Sequence, residues 1–149
     1  MRVIVQRVSQ ASVISDGVLT GEIGQGFVIL LGIQAADTAD DLEYIIKKVS
    51  GLRVFGDEEG KMNRSIHDVS GQILLVSQFT LYASTKKGNR PSFIQAARPE
   101  DAIPLYEACI ASFTACGLPP QTGVFGADMQ LSLVNDGPVT IFIDSRLRE

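Results

Sequence analysis

The run Phe27-Val28-Ile29-Leu30-Leu31-Gly32-Ile33, preceded by Gly26, constrains this chain more than any other segment. It contains no polar side chain and no alternation, and it is bounded by glycine. Such a run suits a strand buried on both faces, and so one central to a sheet. The rest of the chain has to supply strands to flank it and helices to cover it. At 149 residues the chain has about one domain's worth of material, able to bury roughly 68 to 70% of its unfolded surface. One domain over 1–149 is expected.

Residues 2–9 and 11–15 alternate and are rich in β-branched types, and Asp16-Gly17 marks a hairpin turn into 18–23. Over 37–51 the apolar residues Leu42, Ile45, Ile46 and Val49 fall at helical spacing. Asp37 or Thr38 can cap that helix, and Lys47-Lys48 lie near the negative end of its dipole. Short strands are expected at 52–55 and 73–79, and a second helix at 100–116. Pro104 fits that helix only within its first turn, and Gly117 with Pro119-Pro120 stops it. Segments 123–129, 130–134 and 139–143 read as closing strands. The fold class expected is α/β: a single domain with a mixed, largely antiparallel sheet or barrel-like core and two main amphipathic helices packed on it.

Several functions are disfavoured. Charge on both sides of the first apolar run is unlike a signal peptide, and no stretch reaches the roughly 18 apolar residues of a membrane span. The net charge of −4 is unsuited to holding nucleic acid by a global basic surface, so a polyanion would need a local patch. Cys109 and Cys116 lie seven apart in a helical pattern, about 10 Å along the axis, too far for a disulfide. Unpaired cysteines without an export signal suit a reducing, cytoplasmic setting. No metal-ligand spacing, G-x-G-x-x-G or Walker motif appears, so neither metal nor organic cofactor is expected. The single histidine, His67, lies in a polar stretch; it is either a solvated loop residue or the partner of Ser77 or another hydroxyl in a triad.

Two segments place polar groups where stability does not require them. In Ser77-Gln78-Phe79-Thr80-Leu81 a period of two sets Gln78, Thr80 and Tyr82 opposite Ser77, Phe79 and Leu81. With Phe79 and Leu81 in the core, Gln78 and Thr80 point to a cleft or to solvent. Main-chain N–H groups freed there can hold an oxyanion, or the polar groups only cap a strand end. In Asn135-Asp136-Gly137-Pro138-Val139-Thr140, Pro138 has to start a strand or lie at an edge, since it cannot donate to a ladder.

The pairing of those two segments resembles the signature of the D-aminoacyl-tRNA deacylase family, formerly D-tyrosyl-tRNA deacylase. The likeness covers essentially the whole chain, including Gly60-Lys61-Met62-Asn63, Gly88-Asn89-Arg90-Pro91-Ser92-Phe93 and Phe125-Gly126-Ala127-Asp128-Met129. It implies a hydrolase acting on tRNA that carries a D-amino acid or glycine. It also implies a homodimer with active sites at the subunit interface, and neither membrane nor DNA as partner. Catalysis is then expected from Ser77, Gln78, Phe79 and Thr80, through backbone N–H groups around Phe79 and Thr80. Help from the terminal ribose 2′-OH is implied as well. Thr80 as a nucleophile is the competing view, and it lacks an adjacent base. Substrate binding and chiral selection are expected from Asn135, Gly137, Pro138, Val139 and Thr140, with a cis Gly137-Pro138 bond entering the partner's pocket. An adenosine pocket is expected from Phe125, Gly126, Ala127 and Met129, although Phe125 and Met129 also read as core. Lys86, Lys87 and Arg90 either contact tRNA phosphates or form a solvated loop. A module that binds the tRNA 3′ end without catalysis is the alternative from another class.

Overall fold

A computed structural model describes residues 1–148. The central position of the apolar run is borne out. It forms β3 (Gly26–Gly32), in which Phe27, Val28 and Ile29 are fully buried. β1 (Arg2–Ser15) pairs antiparallel with β3, from Arg2 opposite Gly32 to Val8 opposite Gly26. On the other edge of β3, β6 (Gln72–Ser77) runs parallel, ending with Leu31 opposite Ser77. The two segments expected at 2–9 and 11–15 are one continuous strand, which turns through Asp16 (φ +47°) and Gly17 (φ +80°) into β2 (Val18–Ile23). The long β8 (Met129–Asp144) follows β1 along nearly its whole length.

β7 (Gln121–Thr122) pairs with β6 and approaches β2. The backbones come so close that a Cβ on Gly21 would stand 3.1 Å from the Thr122 carbonyl oxygen. The mixed sheet thereby curls into a nearly closed, barrel-like core. Between β3 and β6, β4 (Phe55–Gly56) and β5 (Met62–Arg64) form a small separate hairpin, shorter than the strand expected at 52–55.

Two α-helices cover one face. α1 (Ala39–Gly51) is capped at Thr38, whose N–H donates to the Asp41 carboxylate at 2.9 Å. Its buried Leu42, Ile45, Ile46 and Val49 are the residues the periodicity selects. α2 (Pro99–Ala115) starts on Pro99, so Pro104 lies inside the helix and not in its first turn. There its missing N–H leaves the helix one hydrogen bond short on an exposed face. Gly117 (φ +78°) ends α2, and the Leu118 N–H reaches back to the Phe113 carbonyl at 2.9 Å.

Both helices pack over Val3, Val5, Phe27, Ile29 and Leu75, while Val8, Val13, Val28, Leu74 and Val76 form a second core on the opposite face. Cys109 and Cys116 are both free thiols, the first buried and pushed up to about 12 by that burial. No helix is long and apolar enough to cross a membrane among the described residues.

Candidate active site

β6 loses its partner after Ser77, because β3 ends one residue beyond Leu31. The Gln78 N–H still donates to the Leu31 carbonyl at 2.7 Å, and then the chain leaves the sheet. It winds into a single 3-10 turn, Phe79–Tyr82, closed by Leu81 N–H to the Gln78 carbonyl (3.2 Å) and Ala83 N–H to the Thr80 carbonyl (3.0 Å). The strand expected to continue to 79 is therefore broken, and its alternation with it. Phe79 is 57% exposed instead of core, and Tyr82, which the alternation set on the opposite face, is buried. Gly32 makes the crossing possible, since a Cβ there would meet Leu81 Cβ at 3.0 Å and the Gln78 carbonyl at 3.1 Å.

The first donors of a helical turn have no partner within it. Here those donors are the N–H groups of Phe79 and Thr80, and no other acceptor takes them among the described residues. The Gln78 side-chain amide donates to the Thr80 hydroxyl, so the nearest polar neighbour of that hydroxyl is an amide and not a base. His67 lies in an exposed turn before the far end of β6, roughly 17 to 20 Å from Ser77, which excludes a Ser77–His67 triad. Behind the turn, the Arg2 guanidinium donates to the Leu81 carbonyl (3.1 Å) and lies 4.6 Å over the Tyr82 ring. Asp144 holds it from the other side at 2.8 Å.

Ser77, Gln78 and Phe79 form one wall of a cleft, and Phe125 with Gly126 form another. Its floor comes from Leu31 and Ile33, and its far side from Ala97, just before α2, and Ala102 in the first turn of α2; sequence reasoning missed all four. Nothing in their own spacing marks them, because they are ordinary apolar residues brought in by chain crossings. The strand expected at 123–129 is instead a turn, with Gly126 at φ +77° and Ala127 N–H on the Val124 carbonyl at 3.2 Å. This turn exposes part of Phe125 to the cleft while its ring packs on Tyr106, centroids 5.6 Å apart. Tyr106 donates to the Leu75 carbonyl at 3.2 Å, and burial pushes its hydroxyl up to about 12. Met129 does not join them. It packs against the second core beside Val13, its sulfur filling the space over Gly123.

The second motif is not a loop between two strands but a bulge within β8. Gln6 faces Thr140 and Val8 faces Asn135, so residues 136–139 stand opposite Arg7 alone. Side chains tie down both flanks. Asn135 Nδ2 donates to Thr140 Oγ1 (2.9 Å), and Asn135 Oδ1 accepts the Val139 N–H (3.3 Å). Arg7 Nε donates to the Asp136 carbonyl at 3.1 Å, and another guanidinium nitrogen donates to the Val54 carbonyl. The Gly137–Pro138 peptide is cis, and both residues are exposed. Gly137 lies at φ +123°, a backbone conformation that L side chains rarely adopt, which favours glycine there.

The two motifs do not meet within one protomer. Ser77 leads across the sheet through Leu31 and Val3 to Ile143, whereas the bulge lies beside Arg7, four residues further along β1. Four residues and three strand spacings amount to roughly 20 Å. Lys86, Lys87 and Arg90 are exposed in a loop pinched at its base by paired Ser84 and Ser92 (2.8 and 2.9 Å).

Comparison with known proteins identifies the family. The chain is 57% identical to a D-aminoacyl-tRNA deacylase of Akkermansia muciniphila, covering 100% of both chains. It is 54% identical to one of Parabacteroides distasonis, again over 100% of both. Among solved structures it resembles the c-Myc DNA unwinding element binding protein, with a TM-score of 0.90 and 41% identity over 97% of this chain and 98% of that one. A probable eukaryotic D-amino acid tRNA deacylase shares the fold, with a TM-score of 0.80 and 20% identity over 96% of this chain and 98% of that one. The family model described as D-Tyr-tRNA(Tyr) deacylase matches residues 4–144, and the chain belongs to that family.

Proposed function

We propose that the protein hydrolyses the ester joining a D-amino acid to the 3′ end of tRNA, and that it works as a homodimer whose sites span the subunit interface. The observation that carries this reading is the 3-10 turn, which leaves the Phe79 and Thr80 N–H groups without acceptors among the described residues and whose first residue, Phe79, lines the cleft shared with Phe125. An ester is an activated acyl group, so positioning it and stabilising the tetrahedral oxyanion can suffice. The two N–H groups take the oxyanion, and Gln78 orients the ester carbonyl. The terminal adenine lies against Phe125, Gly126 and Ala127, and the neighbouring ribose 2′-OH assists the attacking water. Thr80 does not act as nucleophile, consistent with its hydroxyl facing only the Gln78 amide.

The exposed bulge supports the dimer. It projects roughly 20 Å from the cleft of its own protomer, so a second copy is needed to bring Gly137 and Pro138 to an active site. There their rigid backbone occupies the space an L side chain requires, while a D side chain passes; glycyl-tRNA, with no side chain, passes as well. Such work on tRNA belongs in the cytoplasm.

Incubation with D-Tyr-tRNA and L-Tyr-tRNA tests the proposal, with selective loss of the D ester expected. No loss above background would replace the hydrolase with a module that only holds the tRNA 3′ end. A 2′-deoxy terminal ribose should slow the reaction, and an unchanged rate would remove the 2′-OH from the mechanism.

A further inference from the structure

Resting on that substrate reading, we infer that Phe93 and Ile94, between the cleft and the basic loop, form a subsite for the single-stranded nucleotides immediately 5′ of the terminal adenosine. The placement follows from the backbone. Ala97 N–H donates to the Ile33 carbonyl at 2.9 Å, which fixes one end of segment 93–97 at the cleft floor. The Ser84–Ser92 pair fixes the other end at the base of the loop carrying Lys86, Lys87 and Arg90.

Phe93 and Ile94 thus bridge the cleft and the cations. Phe93 meets Phe79 edge-to-face at 5.1 Å, which continues the apolar surface out of the cleft. Ile94 is 93% exposed, and nothing within the protomer explains an isoleucine there. Charge points to the occupant. From residue 69 to residue 99 the chain has no Asp or Glu, in a protein of net charge −4. Lys86, Lys87 and Arg90 form no ion pair among the described residues. Apolar and aromatic groups beside unpaired cations match a single strand, which offers base faces to one and phosphates to the other. A second copy of this acidic chain would bring no such regular array of charge.

The test compares D-tyrosyl esters of adenosine alone and of the trinucleotide cytidyl-cytidyl-adenosine. Wild-type protein should favour the trinucleotide about tenfold or more in kcat/KM, the scale of one stacked base. Phe93→Ala with Ile94→Ser should bring that ratio close to one. Ile94→Ser alone, at a position already 93% exposed, should lower it part-way and guards against misfolding of the double variant. The inference is overturned by a wild-type ratio near one, or by a ratio that survives the double variant. It is also overturned if the variant halves the mass in solution and keeps the ratio, since the patch would then belong to a second copy. Wild-type failure on both esters would instead sink the hydrolase reading. The subsite would still be decided by quenching of 2-aminopurine at the penultimate position of the unacylated trinucleotide. Quenching lost in the double variant supports it, and no quenching by wild type overturns it.

Discussion

The 3-10 turn after Ser77 and the bulge after Asn135 are both interruptions of a strand, and they are built in opposite ways. In the turn the Phe79 and Thr80 N–H groups are left without acceptors among the described residues, and Phe79 lines a cleft. In the bulge, polar side chains tie the flanks, and the apex at Gly137 and Pro138 stands exposed. Unpaired donors suit a group whose charge appears only during reaction, whereas a braced apex suits steric exclusion. The contrast matches the proposed division, with chemistry at the first and selection at the second.

The largest test removes a donor from the turn. Phe79→Pro deletes one N–H at the first helical position, where proline is tolerated, and should lower kcat on D-Tyr-tRNA by about 10²- to 10³-fold. Phe79→Ala keeps the donor and should stay within about tenfold of wild type. Equal losses in the two variants would show that the side chain and not the backbone does the chemistry. Thr80→Ala separates backbone from hydroxyl in the same way, with a rate within about fivefold expected. A loss of 10³ or more would restore the nucleophile.

Loosening the bulge should have an intermediate effect of a different kind. Asn135→Ala removes both flank hydrogen bonds and should raise hydrolysis of L-Tyr-tRNA about tenfold, while destabilising the fold by about 1 to 2 kcal/mol in urea unfolding. Unchanged discrimination would separate selection from bracing.

The smallest effect concerns the support behind the turn. Burial alone would raise the Asp144 carboxyl, but the Arg146 N–H and the Arg2 guanidinium outweigh it and leave it below the ordinary carboxylate range. A depressed carboxylate contributes stability that is complete above its unfolded value near 3.9 and is lost as pH falls through the folded value. Asp144→Asn should therefore be less stable than wild type by about 1 to 2 kcal/mol at pH 7, with the gap closing below about pH 4. Thermal melts across that range measure it, and a gap independent of pH would show that Asp144 acts only through packing.

Legibility in the sequence followed the range of the interactions. The buried β3, the Asp16–Gly17 hairpin, the cap and apolar face of α1 and the Gly117 stop of α2 rest on local periodicity or local backbone preference. The misreadings occur where a neighbour decides. Alternation failed at Phe79 because β3 ends beside Ser77, and the strand expected at 123–129 lacks a ladder to join. Both motifs were visible as residue types out of place. Their shapes were not, because Gly32 and Arg7 make them possible from other strands.

By itself the sequence determined the central strand, the two helices and the two motifs, since apolar spacing, caps and turn residues act over a few positions. Only the tertiary structure decided that one motif is a turn with open donors and the other a bulge roughly 20 Å away. That outcome depends on which strand ends beside which, and strand pairing is fixed by contacts between residues far apart in the chain.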